Sequence, residues 1–284
     1  MPRVPVSVLI PCKNEEANIR YAIEGVIDWA DEVIVLDSGS TDSTQNIVRQ
    51  YPVRLIEHPW EGYAKQWNWA LRNIDFKHEW LLMLAADCYP HENLPQAIAS
   101  ATRRNQYDGY YIRYRYVFMG KWLKHAAGYP QWCLTFFKHR LVHYEEREVH
   151  EHPIVDGKVG YLAADIWHHD RKPLREFFLR HAKYAELEAQ EQFHIYTGRK
   201  KRTHTLLDLF KPGKINRAVK ENIWPRIPLI IRPFMRFLWL LIFRAAWLDG
   251  MPGIYYCFHS FCYHMQVSMH LRELLREKHL NKER

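Results

Sequence analysis

Two phosphate-binding signatures are missing from this chain. No GxGxxG run follows any of its apolar segments, which disfavours a dinucleotide-binding Rossmann site. No GxxxxGK[ST] run is present either, which removes a P-loop. Cysteine is sparse: Cys12, Cys88, Cys133, Cys257 and Cys262 form no CxxC pair and no zinc spacing, and their number is odd. A reducing, cytosolic compartment is the expectation. The opening MPRVPVSVLIPCKNEE holds an apolar run too short for a signal peptide, and Lys and Glu follow at once. Repeats and low-complexity tracts are absent. RNP-like, zinc-finger and basic-zipper motifs are wanting too, which argues against a nucleic-acid partner.

What is present is enough for a substantial core. The chain has 284 residues, 48% hydrophobic and 25% charged, with a formal net charge of +8. That length fits one large domain or one domain with an extension. The positive balance suits an anionic partner: a nucleic acid, a nucleotide or an anionic membrane surface. Trp (11) and Tyr (17) are plentiful, and most of them are expected to fill core.

The first hundred residues alternate between two periods. Brief apolar runs at Val6–Ile10, Glu32–Leu36, Val53–Ile56 and Trp80–Leu84 predict strands. Between and after them, Glu15–Trp29, Ser43–Tyr51, Ala64–Ile74 and Asn93–Arg103 predict helices, with Asp42 as the N-cap of the second. Strand, helix, strand, helix with short links implies an α/β fold: a doubly wound, mostly parallel sheet with helices on both faces. Ligands bind such sheets at the carboxyl ends of the strands. Three polar groups fall there: Pro11–Glu15 (PCKNE), Asp37 opening DSGSTDST, and Asp87 in LAADCYP. Without glycine cradles, a diphosphate calls for a hard divalent cation on carboxylates. Asp37 is placed for a nucleobase edge and Asp87 for the metal.

The motifs SVLIPCKNEEANI, DEVIVLDSGSTDSTQNIV, HPWEGYAKQWNWAL, EWLLMLAADCYP and REVHEHPIVDGKVGYL resemble those of the inverting family 2 glycosyltransferases of GT-A fold. Within that family the chain is most similar to bacterial lipopolysaccharide-core and other cell-surface transferases. The resemblance covers roughly residues 5 to 170, and more weakly reaches about residue 260 through RPFMRFL and LDGMPGIYY.

It implies roles residue by residue. Pro11, Asn14 and Glu15 frame the nucleoside, and Asp37 reads the base, commonly uracil, with Ser38 and Ser40 lining that pocket. Lys65, Gln66 and Asn68 match a segment that the family turns toward the nucleotide. Asp87 matches a residue that touches Mn²⁺ or Mg²⁺. Here the sequence departs from the family's Asp-x-Asp pattern: Ala85 replaces the first acid and Cys88 follows Asp87. A thiolate is a soft, poor partner for hard cations, so Cys88 is read as packing. His150, His168 and His169 stand out among 17 histidines. His168 is taken as a second metal ligand or a diphosphate contact. Glu151 first, and Glu148 next, match the acceptor-side motif and are the general-base candidates.

The expected reaction moves a sugar from a nucleoside-diphosphate sugar, UDP-linked, to a lipid-linked or cell-surface glycan by single displacement. A degenerate, non-catalytic nucleotide-sugar or partner-binding protein is the alternative that Ala85 raises. The expected organisation is a catalytic GT-A domain over residues 1–175 and a helical extension over 176–284. In that extension, residues 227–248 (IPLIIRPFMRFLWLLIFRAAWL) fall short of a bilayer span of about 20 apolar residues. Arg232, Arg236 and Arg244 interrupt it and share one side of a helix, opposite a broad apolar face. That pattern predicts a segment lying in the membrane interface with its basic stripe on anionic lipid. The expected location is cytoplasmic, peripheral on the inner face of the cell membrane.

Overall fold

A computed structural model describes residues 3–145, 152–198 and 226–280. The chain divides into two compact units, Met1–Pro173 and Leu174–Arg284.

Unit 1 is an α/β domain with a mostly parallel sheet at its start. In chain order its elements are β1 (Val4–Cys12), α1 (Ile19–Glu24), β2 (Ala30–Asp37), α2 (Thr44–Val48), β3 (Arg54–Glu57), α3 (Tyr63–Asn73), β4 (Trp80–Met83), β5 (Cys88–Pro90) and α4 (Leu94–Arg104). Next come β6 (Gly109–Phe118), β7 (Lys121–Trp122), β8 (Gln131–Lys138), β9 (Val142–Tyr144), β10 (Pro153–Val155) and β11 (Val159–His168). The main sheet runs β3-β2-β1-β4-β8-β6-β11-β5, with β7 paired to β6. Its first four strands are parallel, so their carboxyl ends share one edge. Beyond β4 the pairing is mixed: β8 runs antiparallel to β4 and β6, β11 runs parallel to β6, and β5 runs antiparallel to β11.

Alternation along β1 explains the two layers. Val6, Val8 and Ile10 face Ile19 and Ile23 of α1 and Leu94 and Ile98 of α4. Leu9, with Ile34 and Leu36 of β2, faces Ala64 and Ala70 of α3. Successive side chains of a strand point to opposite faces, so a nearly unbroken apolar run marks a strand covered on both sides.

Two element expectations are corrected. The helix expected over Glu15–Trp29 is only Ile19–Glu24, followed by turns. Gly25 ends it where a Cβ would stand 2.7 Å from Pro90 Cδ, so the chain passes too close to β5 to carry a regular helix with side chains. The N-cap position of α2 is Ser43, one residue after the expected Asp42. Asp42 instead closes a two-residue turn, its Oδ1 accepting the Thr44 N–H at 3.0 Å.

Unit 2 is helical. Its elements are α5 (Leu174–Tyr196), α6 (Ile231–Leu238) continuing through a wide π turn at Trp239–Phe243, a 3₁₀ turn at Ala246–Asp249, and α7 (Gly250–Leu280). Ala185, Ala189 and Phe193 of α5 pack against Val267 and Leu271 of α7. Phe237 and Phe234 of α6 meet Phe258 and Phe261 of α7 at ring separations of 5.0 Å. Among the described residues, no single helix is long and apolar enough to cross a membrane.

The basic stripe expected on the outside of this segment is not there. Arg232 is 3% exposed. It donates to the Ile227 carbonyl at 3.0 Å, to Gln192 Oε1 at 3.3 Å and to the Tyr196 hydroxyl. Arg236 and Arg244 are half-buried. A guanidinium carries five donors, and Gln192 and Tyr196 of α5 supply acceptors for Arg232 that the outer face lacks, so that arginine turns inward.

Candidate active site

Parallel pairing delivers three strand ends to one edge. Cys12 stands opposite Asp37 across β1 and β2, and Leu84 N–H donates to the Leu9 carbonyl at 3.0 Å, which brings the residues after β4 alongside.

Asp37 is fully buried and its carboxylate holds the loop that follows. Oδ2 accepts the backbone N–H of Ser40 at 3.0 Å and of Gly39 at 3.2 Å, and Gln45 Nε2 at 2.7 Å. Oδ1 accepts the Ser40 hydroxyl and, more weakly, the Cys12 thiol. Burial pushes the carboxyl up, but these donors outweigh it and hold Asp37 below the usual carboxylate range. DSGSTDST is thus a self-bonded loop: its small and hydroxyl side chains let backbone N–H groups turn back onto one carboxylate.

A second loop is stitched onto it. Asn14, at φ +54°, donates its N–H to Ser40 Oγ at 2.8 Å and accepts the Thr41 N–H on Oδ1 at 2.8 Å. Left-handed backbone is a conformation that asparagine tolerates. Glu15 N–H donates to Thr44 Oγ1 at 2.7 Å. Pro11 pairs in register with Leu36. Ser38 accepts Gln66 Nε2 at 3.0 Å, and Gln66 is itself buried. Lys65 is exposed on α3.

Asn68 points elsewhere. Its amide makes a reciprocal pair with the Tyr144 backbone, donating to the carbonyl at 2.9 Å and accepting the N–H at 2.8 Å. Tyr144 ends β9, which pairs antiparallel with β10. Glu145 N–H reaches the His152 carbonyl at 3.2 Å, so the two flanks of the segment between them are tied together. Glu148, His150 and Glu151 lie outside the described residues.

The Asp87 end is the most charged part of the edge. His168 stands opposite Cys88 in the β11–β5 register, and its Nε2 lies 2.9 Å from Asp87 Oδ2. The backbone agrees: His169 N–H donates to the Asp87 carbonyl at 2.8 Å. Both side chains keep some solvent access, 19% for Asp87 and 29% for His168. A carboxylate oxygen of Asp87, Cys88 Sγ and a ring nitrogen of His168 all lie within 4.8 Å of one another. Burial first, then the charge of Asp87, raises the Cys88 thiol well above its ordinary value, so it stays protonated and a poor ligand. One hard oxygen and one imidazole nitrogen fit a divalent cation that also takes diphosphate oxygens. Ala85, in an exposed position, adds no side-chain donor.

The residues after β11 close the edge. Asn18 bridges Glu15 Oε2 at 2.8 Å and Asp170 Oδ1 at 2.9 Å, and accepts the Arg171 N–H at 2.8 Å. Lys172 Nζ sits 2.6 Å from Glu15 Oε1. Burial raises the Glu15 carboxyl; Lys172 opposes that shift and the negative charge of Asp87 adds to it. Sequence reasoning passed over Asn18, Arg171 and Lys172. The signal was present, since DRK follows directly on the two histidines at the end of a strand.

A family model described as glycosyl transferase family 2 matches residues 7–155. The chain is 28% identical over 218 residues to the "Lipopolysaccharide core biosynthesis glycosyltransferase LpsC" of Rhizobium meliloti (strain 1021), covering 73% of this chain and 78% of that protein. It is 42% identical over 82 residues to an uncharacterized glycosyltransferase of Rickettsia bellii, covering 29% and 27% of the two chains. Among solved structures it is similar to S. aureus TarS 1–349, at 15% identity and TM-score 0.47 over 95% of this chain and 92% of that one.

Proposed function

The chain belongs to glycosyl transferase family 2 and is an inverting glycosyltransferase; from that premise we propose that unit 1 transfers a sugar from a UDP-linked donor to a lipid-linked glycan of the cell surface. One observation carries the donor half. A buried carboxylate at the end of β2 and an Asp87–His168 pair at the end of β4 lie on the same sheet edge, as a nucleoside and its diphosphate require. The similarity to the LpsC protein supports a lipopolysaccharide-core acceptor.

In this reading Asp37 receives the uracil edge. The Gln45 amide and the Ser40 hydroxyl now on its oxygens are the donors that a base N–H replaces. Asn14, Glu15, Ser38 and Gln66 keep the two loops in place around the nucleoside. Pro11 lines it, and Lys65 faces the donor from α3. Asp87 and His168 would hold a divalent cation, Mn²⁺ or Mg²⁺, which supplies charge neutralisation at the diphosphate.

The chain's own groups account for the rest. Glu151, with Glu148 as second choice, takes the proton from the acceptor hydroxyl as that oxygen attacks the anomeric carbon. The glycosidic bond to the diphosphate breaks on the opposite face, and the configuration inverts. Lys172, paired with Glu15, which itself feels the charge of Asp87, is the cation that would turn to the leaving group as its negative charge grows. Asn68 anchors β9, and with it the flank of the segment that carries both glutamates.

The test is a donor panel with Glu151→Gln. Wild type should consume a UDP-sugar and release UDP only with a core-glycan acceptor present. Glu151→Gln should bind UDP normally and turn over at least roughly 100-fold more slowly, the scale of general-base loss. Equal turnover in that variant would remove Glu151, and preference for a GDP or CMP donor would remove the uracil reading.

A further inference from the structure

One stretch of unit 2 is built inside out for a protein in water. From Ile230 to Phe258 every exposed residue is apolar. The charged residues of the same stretch go the other way: Arg232 and Asp249 are each 3% exposed, and Arg236 and Arg244 are half-buried. A chain that is 25% charged has ample polar side chains for a water-facing surface, so a run this long without one is informative.

The shape adds a second constraint. Residues 231–243 and the long helix after them meet at a 69° bend. Ala245 forms the corner with φ +50°. Strongly exposed side chains stand at that corner: Phe243 at 72%, Ile242 at 59% and Trp247 at 56%. Along α7 the outward positions Met251, Tyr255 and Phe258 continue the same face at helical spacing. Residues 231–243 rise roughly 20 Å at 1.5 Å per residue, short of a hydrocarbon core about 30 Å thick. A bent pair with an apolar corner and one arm this short has the geometry of a segment that enters one leaflet and returns to the same side.

A protein partner is a worse match. Protein interfaces carry a polar rim and about one hydrogen bond per 100–200 Å². Among the exposed residues of this face the hydrogen-bonding groups are the Tyr255 hydroxyl and the indole N–H of Trp239 and Trp247, with no charged or amide side chain to build a rim, and fluid hydrocarbon asks for none.

We infer that the bent segment from Ile230 to Phe258 is a monotopic anchor whose corner sits in the hydrocarbon of one leaflet, held by apolar burial and not by attraction of arginines to anionic headgroups. It rests on the proposed reading in one respect, that the acceptor is membrane-borne. The assay below contains no donor or acceptor, so its failure is distinguishable from failure of that reading.

The experiment is flotation of the full chain with neutral phosphatidylcholine vesicles and with vesicles containing phosphatidylglycerol, at low and at molar salt. The chain should float with both, and molar salt should not release it, because screening acts on charges and not on apolar area. The triple variant Ile242→Ser, Phe243→Ser, Trp247→Ser should partition at least roughly tenfold less, given about 25 cal/mol per Å² of apolar surface. Its far-UV circular dichroism and urea midpoint report that the fold is intact. Should that variant fail to fold, quenching of wild-type tryptophan fluorescence by brominated lipids, reduced in Trp247→Phe, reads the same insertion. Binding confined to anionic vesicles and lost in molar salt overturns the proposal. So does a stable dimer that fails to float and that the triple variant splits into monomers.

Discussion

Nε2 of His168 lies 2.9 Å from Oδ2 of Asp87, a residue 81 positions earlier in the chain. The approach depends on the antiparallel register of β11 with β5, which sets His168 opposite Cys88. In the proposed reading the pair would supply, with an imidazole, part of what the family's first acid provides at the position of Ala85.

From this pair follows a prediction about metal dependence. Asp87→Asn should lower transfer by roughly 100- to 1,000-fold, the range for loss of one group that stabilises transition-state charge. UDP affinity should fall far less, because the leaving group needs the cation most as its charge develops. His168→Gln should raise the Mn²⁺ concentration needed for half-maximal activity, and Ala85→Asp should lower it. Full activity in Asp87→Asn, measured as UDP release, would refute a metal role for this edge.

Asp37 combines two tasks, and two substitutions separate them. Asp37→Ala removes the acceptor for the Ser40 and Gly39 N–H groups and for Gln45, so it should destabilise unit 1 by about 1–3 kcal/mol and weaken UDP binding at least roughly tenfold. Asp37→Asn retains one carbonyl oxygen and should recover part of the stability without the affinity. Urea unfolding and calorimetric titration with UDP check the two halves. Parallel recovery of both in Asp37→Asn would mean that the carboxylate organises the loop and never meets the base.

In the proposed reading Asn68 is a positioning residue that acts through β9. Asn68→Ala removes the two hydrogen bonds its amide makes to the Tyr144 N–H and carbonyl. The expected outcome is a fall in kcat of at least roughly tenfold with an unchanged Kd for UDP, since a small displacement of a catalytic group is costly. Steady-state kinetics beside UDP titration makes the check, and an unchanged kcat would detach β9 from the chemistry.

Stability should also depend on pH through His259. Burial, with help from the neighbouring His181, lowers its pKa from 6.5 to about 4. The ring lies 4.7 Å from both Phe177 and His181. The unfolded chain takes up a proton near pH 6.5, whereas the folded chain does not until about pH 4. Stability is therefore fully present above 6.5 and declines as the pH falls toward 4. At about 1.4 kcal/mol per unit, reduced for the solvent access of a half-buried ring, the loss is on the order of 2 kcal/mol. Urea midpoints at pH 7.5 and pH 5 should differ in wild type and converge in His259→Gln. Equal slopes in the two proteins would assign the pH dependence to other groups.

The sequence by itself determined the parallel half of the sheet and the residues at its edge. Runs such as VSVLI and VIVLD are short, apolar on both faces and broken by polar residues, and a strand covered on both sides admits no other pattern. Asp37 and Asp87 follow because a strand's end is a local feature of the chain. The resemblance named the family, and the family model agrees. Tertiary structure alone decided three things. It brought His168 to Asp87, since the register of strands distant in sequence is set by packing. It gave the Asn68 amide to the Tyr144 backbone, although its neighbours Gln66 and Lys65 lie toward the nucleotide loops or solvent. And it turned Arg232 into unit 2 and Phe243 out of it. Helical periodicity separates the basic side of residues 227–248 from the apolar side, but it does not say which side faces the protein. That depends on where acceptors for a guanidinium lie, and here Gln192 and Tyr196 of α5 supply them.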